Sequence, residues 1–269
     1  MHVSIIHNTA RRHGRGSRSQ PVRGRALTII TAALAVSLAV AACSSDSTSP
    51  KADVEVDGPA VSVGNGTAQS FIMQHDNVVT TVGIKLTDGA LDGLPTEMSE
   101  WKLAMPNDVS APPWDHMTLD WNPQGHEPAP IYGVPHFDFH FYMIPDAEQS
   151  AIAGGPDNTP VEAQFIPRDY ASQVISVPAM GVHWADTLSA EFHGTPFTRT
   201  FIYGFYQGQM VFVEPMVTRD FLASHPDVSS PVKQAESYQT PGSYPTSYSV
   251  RYDASQHATF IELDSLAVR

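Results

Sequence analysis

Residues 132–145 read YGVPHFDFHFYMIP. On an extended chain successive side chains point to opposite faces, so His136, Asp138, His140 and Tyr142 share one face and Phe137, Phe139, Phe141 and Met143 the other. The second face is a core stripe. The first is a row of imidazole, carboxylate and phenol, the groups that ligate divalent cations or exchange protons. Residues i and i+2 of a strand lie about 6.6 Å apart and i and i+4 about 13 Å. Adjacent members of the row can therefore converge, whereas His136 and His140 can share one ion only if the strand bends or bulges. A helix would place them on one face at i, i+4, as in zincins. The density of aromatics and the preceding Pro135 favour the strand.

A single strand does not close a metal site, so further ligands must come from elsewhere. His183 in GVHW follows a Pro-Ala-Met-Gly turn, Glu214 in FVEPM ends an apolar run where an inward carboxylate needs a partner, and His126 in WNPQGHEP lies just upstream of His136. The expected ligand set is His136, His140, His183 and Glu214, with His126 and Asp138 as secondary candidates. Such nitrogen and oxygen donors suit Zn first, and Fe, Mn, Cu or Ni as well. An isolated histidine is more often a hydrogen-bonding residue than a ligand, so the competing reading is a structural hydrogen-bond network or a small-ligand pocket. Other chemistries lack their motifs: there is no G-x-S-x-G elbow, no phosphate-cradling glycine loop and no dinucleotide fingerprint.

The elements that must position these residues read as mostly β. The 22 Pro and 18 Gly punctuate short runs rich in Val, Ile, Phe, Tyr and Thr. A hairpin is expected around His75-Asp76-Asn77, a second around Gln207-Gly208 and a final one around Asp253-Ala254-Ser255. Thr87 is placed to cap a short helix over DGALDGL, and Thr218 another over RDFLASH. PDAEQSAIAGG reads as a third short helix opened by Pro145. Residues 101–130, rich in Pro, Trp and Asn, read as a long irregular segment folded over the body. Many short strands with two or three small helices predict a mainly β fold, a single compact β-barrel or β-sandwich of cupin or calycin type. The domain is expected over residues 58–269, with residues 58–100 able to form a separate layer.

Ahead of this body the chain carries six arginines and then ALTIITAALAVSLAVAAC, an apolar run too short and alanine-rich for a stable span, which reads as a secretory signal. Val40-Ala41-Ala42-Cys43 resembles the lipobox of bacterial lipoproteins. That resemblance implies that residues 1–43 are a signal ending at a lipidated Cys43, with residues 44–57 a flexible polar tether. Two acyl chains anchor stably where one does not. The protein is then exported and membrane-anchored, facing the periplasm or the cell exterior. Cys43 is the only cysteine, so the body can hold neither a disulfide nor a thiolate metal site. Residues 1–43 contain six of the 15 Lys+Arg and no Asp or Glu, leaving nine basic against 28 acidic residues and a formal net charge of −19. Such a surface repels nucleic acid, which is excluded as a partner.

The runs WNPQGHEPAPIYGVPHFDFHFYMIP, MGVHWAD and FIYGFYQGQMVFVEPMVT are similar to a poorly characterised family of bacterial secreted proteins and lipoproteins, resembling the Thermus extracytoplasmic-stress-regulated protein group. The resemblance runs from about Gly64 to the C-terminus. It implies a β-rich domain with histidines around a metal ion and supplies no activity. Likeness to cupins is weaker, because the spacing here is H-x-D-x-H and the only glutamate close behind is Glu148.

Three functions follow as expectations. The first is a lipid-anchored envelope protein that binds a divalent ion, with Asp138 orienting an imidazole. The second is a hydrolase, isomerase or oxygenase that uses the same ion with an open position, with Tyr142 or Asp138 handling protons. The third is a metal-free envelope protein that binds a small molecule or serves a structural role.

Overall fold

The structure, a computed structural model, describes residues 52–269. The signal segment, Cys43 and residues 44–51 of the expected tether lie outside the described residues. Among the described residues the strands are, in chain order, β1 (Val54–Asp57), β2 (Val61–Val63), β3 (Gly66–His75), β4 (Val78–Thr87), β5 (Ser99–Ala104) and β6 (His116–Asn122). Then come β7 (His136–Tyr142), β8 (Gly155–Pro156), β9 (Tyr170–Val177), β10 (Gly181–Asp186), β11 (Arg199–Tyr206) and β12 (Gln209–Thr218). The last are β13 (Asp227–Pro231), β14 (Ser243–Tyr244), β15 (Ser247–Asp253), β16 (Ala258–Asp264) and β17 (Ala267–Val268). Three short α-helices accompany them, α1 (Ala129–Tyr132), α2 (Asp146–Ser150) and α3 (Arg219–Ala223).

Two large antiparallel sheets form a sandwich-like arrangement, and neither closes into a barrel. One runs β1-β3-β4-β16-β15-β13 with β2 also on β3; the other runs β5-β6-β7-β12-β11-β10-β9-β8. Of the two architectures expected from the sequence, the sandwich is the one formed. Val54–Asp57, inside the stretch read as tether, is a strand paired with β3. The β3–β4 hairpin shares its sheet with the C-terminal hairpin through β4 and β16.

The hairpins form where turn chemistry places them. Asp76 and Asn77 have φ of 53° and 63°, and Gln207 and Gly208 have 48° and 81°, the paired left-handed conformation that tight hairpins require. Asp253 closes the last turn by accepting hydrogen bonds from the Ser255 backbone and hydroxyl. Thr218 caps α3, its hydroxyl accepting from Phe221 N. Thr87 stands at the start of a 3-10 turn, Asp88–Leu91, but does not cap it; its hydroxyl accepts from Thr67 N at 2.8 Å instead.

Residues 101–130 are irregular only in part, at 105–115 and 123–128. They contain most of β5 and all of β6, and every residue of β6 is buried. The Pro density that suggests a loop belongs to the connections on either side of β6, while HMTLDWN itself alternates Met117, Leu119 and Trp121 toward the core with Thr118, Asp120 and Asn122 away from it.

The main core lies between the sheets: Ile72, Val82, Ile84 and Leu86 from one meet Leu119, Phe137, Phe139, Phe141 and Val213 from the other. A second apolar cluster covers the far face of the β7 sheet, where Tyr132 of α1, Ile152 after α2, and Phe197 pack on Tyr142, Phe212 and Met216. The polar back of β7 is thereby sealed, and all seven of its residues are buried. Among the described residues no helix is long and apolar enough to cross a membrane.

Candidate metal centre

The register of three strands assembles the site. β6 and β7 pair without a break from His116 with Tyr142 to Asn122 with His136, setting Asp120 directly opposite Asp138. On the other side β12 aligns Val213 with Phe141 and Met216 with Asp138, which brings Glu214 beside His140. β7 carries no bulge, so His136 and His140 stay apart on one face, and two clusters form in place of one.

The first cluster is His140, His183 and Glu214. His140 Nε2 faces Glu214 Oε1 at 3.7 Å and His183 Nε2 faces Glu214 Oε2 at 3.4 Å. His140 Nδ1 lies 3.1 Å from Asp120 Oδ2, and His183 has a backbone hydrogen bond at Gly181. His183 stands two strands away from β12, across β11, where Gly204 lies between it and Phe212. His183 pairs with Gly204 and Gly204 with Phe212, and a Cβ on Gly204 would meet the Phe212 ring at 2.0 Å. Phe212 packs edge-on against both imidazoles, with centroids 4.9 Å from His140 and 5.2 Å from His183. Opposite His183 the register of β9 jumps from Ser176 to Ser172. The excess residues there include Val174 at φ 56°, a conformation that β-branched residues rarely adopt. Bulges of this kind re-aim neighbouring side chains and are common beside functional sites.

The second cluster is His126, His136 and Asp138. His136 Nε2 lies 3.2 Å from Asp138 Oδ1, and His126 Nε2 lies 3.4 Å from Asp138 Oδ2. The four expected principal ligands are thus divided, with His136 joining the two secondary candidates. Tyr142 stands apart from both: its ring stacks on His116 and His140 while its hydroxyl donates to Ala179 O at 3.1 Å. Glu148 lies exposed on α2. Asp120, which the sequence reading omitted, is 3% exposed and belongs to the first cluster's surroundings. The T-L-D-W-N alternation in β6 is the signal that places it on the face of His140.

The electrostatics are those of carboxylates and imidazoles forced together in a dry layer. Burial pulls the His140 imidazole down, but Glu214 and Asp120 outweigh it and push it up to about 9. Burial pulls His126 down as well, and Asp138 raises it to about 9. His183, buried and next to a cationic His140, is lowered to about 3. Burial lifts Glu214 to about 8 against the pull of His140. Burial also raises Asp120, with His140 opposing. Asp138 goes the other way: in spite of burial, His126 and His136 hold it below the ordinary carboxylate range.

His136 Nε2, Asp138 Oδ1, His140 Nε2, Glu214 Oε2 and both Asp120 oxygens are buried without a hydrogen-bond partner in bonding geometry. Buried polar groups are rarely left so, and each one costs free energy unless something compensates it. Clusters of imidazole nitrogen and carboxylate oxygen within 4.8 Å of one another have the donor chemistry and spacing to hold a metal ion, and both clusters meet that description.

Comparison with known proteins yields one family match. Residues 75–121, from the β3–β4 turn through most of β6, match the TTHB210-like family, described as hypothetical protein TTHB210. The family's function is uncharacterised, and the matched stretch includes Asp120 but none of the residues of the two clusters. No curated protein and no solved structure matches the chain.

Proposed function

We propose that this chain is a lipid-anchored, envelope-facing protein that binds a divalent metal ion through His140, His183 and Glu214. The observation that carries the reading is the convergence of three side chains from β7, β10 and β12, strands far apart in sequence, with two imidazole Nε2 atoms facing the two oxygens of one carboxylate. If both imidazoles were neutral with Nε2 lone pairs turned to the carboxylate, the contact would be repulsive; a cation between them removes the repulsion. Two imidazoles and a carboxylate suit Zn. The anchor is supported by the single cysteine, Cys43, at the end of the apolar run.

A second reading, a metal-dependent enzyme of hydrolytic type, has one specific support. Three protein ligands are the complement of catalytic zinc sites, which keep a fourth position for water or substrate. His183 is the cluster's most exposed member, with 13% of its side chain reaching solvent.

The described residues belong to one compact unit, Thr48–Arg269, with its own core. This body, purified without chelator, should contain metal, and adding Zn2+ to stripped protein should raise its Tm. A stripped body whose Tm does not respond to Zn2+ would leave the metal-free reading standing.

A further inference from the structure

The second cluster is built as carefully as the first. His136 is fully buried and its Nδ1 lies 2.7 Å from Val134 O, so Nδ1–H donates there and Nε2 faces Asp138. His126 repeats the arrangement: Nδ1 lies 2.8 Å from Glu127 O, and Nε2 turns inward to Asp138. The carboxylate between them is itself oriented, since Asn122 Nδ2 donates to Asp138 Oδ2 at 2.7 Å. Every donor thus has a partner that fixes its direction, the arrangement that surrounds metal ligands. His136 Nε2 and Asp138 Oδ1 are nevertheless buried without a hydrogen-bond partner. Across β6, Asp120 stands directly opposite Asp138, and like charges in that position are destabilising unless compensated. Phe197 and Tyr132 wall the imidazoles, while His126 keeps 38% of its side chain in solvent.

We propose that His126, His136 and Asp138 form a second divalent-cation site, separate from the His140 site and open to solvent through His126. The proposal rests on the metal-binding reading of the chain but on different residues. Asp138 and His140 are i and i+2 on an unbulged strand, about 6.6 Å apart at Cα. The centres are therefore neighbours, and their ligand sets share no residue. The buried centre suits a resident ion and the solvent-facing centre an exchangeable one.

The test is metal stoichiometry of the body, residues 48–269, stripped, incubated with Zn2+ alone and desalted, with folding checked by circular dichroism. Wild type should hold two equivalents, one released to a competing chelator at least tenfold faster than the other. Asp138→Asn, and independently the surface-loop variant His126→Ala, should each lose the fast equivalent and keep the slow one. Glu214→Gln should do the reverse. One equivalent in wild type, kept in Asp138→Asn and His126→Ala and lost in Glu214→Gln, overturns the second site and leaves the first. One equivalent lost in Asp138→Asn and kept in Glu214→Gln supports the second site and sinks the first. No bound zinc in folded wild type overturns both.

Discussion

Asp120 Oδ2 lies 3.1 Å from Nδ1 of His140, on the side of the ring opposite Glu214. The pair is close but outside bonding geometry; drawn into a hydrogen bond when an ion holds Nε2, this carboxylate would set the tautomer and raise the basicity of the nitrogen that binds the ion. Asp120→Asn keeps the shape and removes the charge. Zinc affinity of the His140 site should fall about 10- to 100-fold, read by competition with a chromogenic chelator, while the far-UV spectrum is unchanged. An unchanged affinity would make Asp120 a bystander.

Protonation should oppose metal uptake. In the ion-free protein His140 and His126 are raised to about 9 and Glu214 to about 8. A group whose folded pKa is raised contributes stability below its unfolded value and loses it as pH climbs through the folded value. For the two imidazoles that window runs from about 6.5 to about 9. The ion-free body should therefore lose Tm across this window, while the gain in Tm on adding zinc should grow, because bound ligands must be deprotonated. On the acid side the sign reverses. His183, lowered to about 3, and Asp138, held below the carboxylate range, both withdraw stability as pH falls. Parallel Tm–pH curves with and without zinc would contradict the linkage.

Gly204→Ala tests whether the space that Phe212 fills over Gly204 keeps His183 aligned on Glu214. The new methyl would lie 2.0–2.3 Å from Phe212 ring atoms, so the ring between the imidazoles must move. Overpacking of this kind costs about 1–3 kcal/mol, and His183 should lose its alignment. Denaturant unfolding should show that loss, and zinc titration a weakened His140 site. Wild-type affinity would mean that His183 reaches its place by another route.

Phe139→Ala separates packing from chemistry on the same strand. Phe139 is fully buried on the core face, and its truncation should cost about 3–5 kcal/mol. Asn122→Ala, on the other face, removes the amide that holds Asp138 Oδ2. It should weaken the His126 site by more than tenfold with a much smaller change in unfolding free energy. If both variants shift stability alike and neither shifts zinc binding, the polar face of β7 is structural.

Much of this arrangement is legible in the residues. The alternation of HFDFHFY separates core from site on β7, and Asp76-Asn77 and Gln207-Gly208 announce their hairpins because few residues accept a positive φ in succession. The geometry of a straight strand also warns that His136 and His140 can share an ion only if the strand bends, and the two fall in different clusters. What local pattern cannot carry is pairing. Glu214 meets His140 only through the β7–β12 register, and His183 meets Glu214 only through the pairing of β10, β11 and β12, where the Phe212 ring fills the space a Gly204 side chain would take. The same holds for β6, whose alternation is masked by the Pro-rich connections beside it, so Asp120 emerges only once the strand is paired. The burial of the polar face is equally non-local, since it depends on Tyr132, Ile152 and Phe197 folding back over the sheet.

The most direct measurement is a zinc-edge anomalous difference map from crystals of residues 48–269 soaked with Zn2+ and back-soaked to remove loosely held metal. The account predicts a strong peak about 2.0–2.2 Å from Nε2 of His140, Nε2 of His183 and a Glu214 carboxylate oxygen. A map with no peak among these three side chains, in crystals whose density shows them ordered, would contradict it.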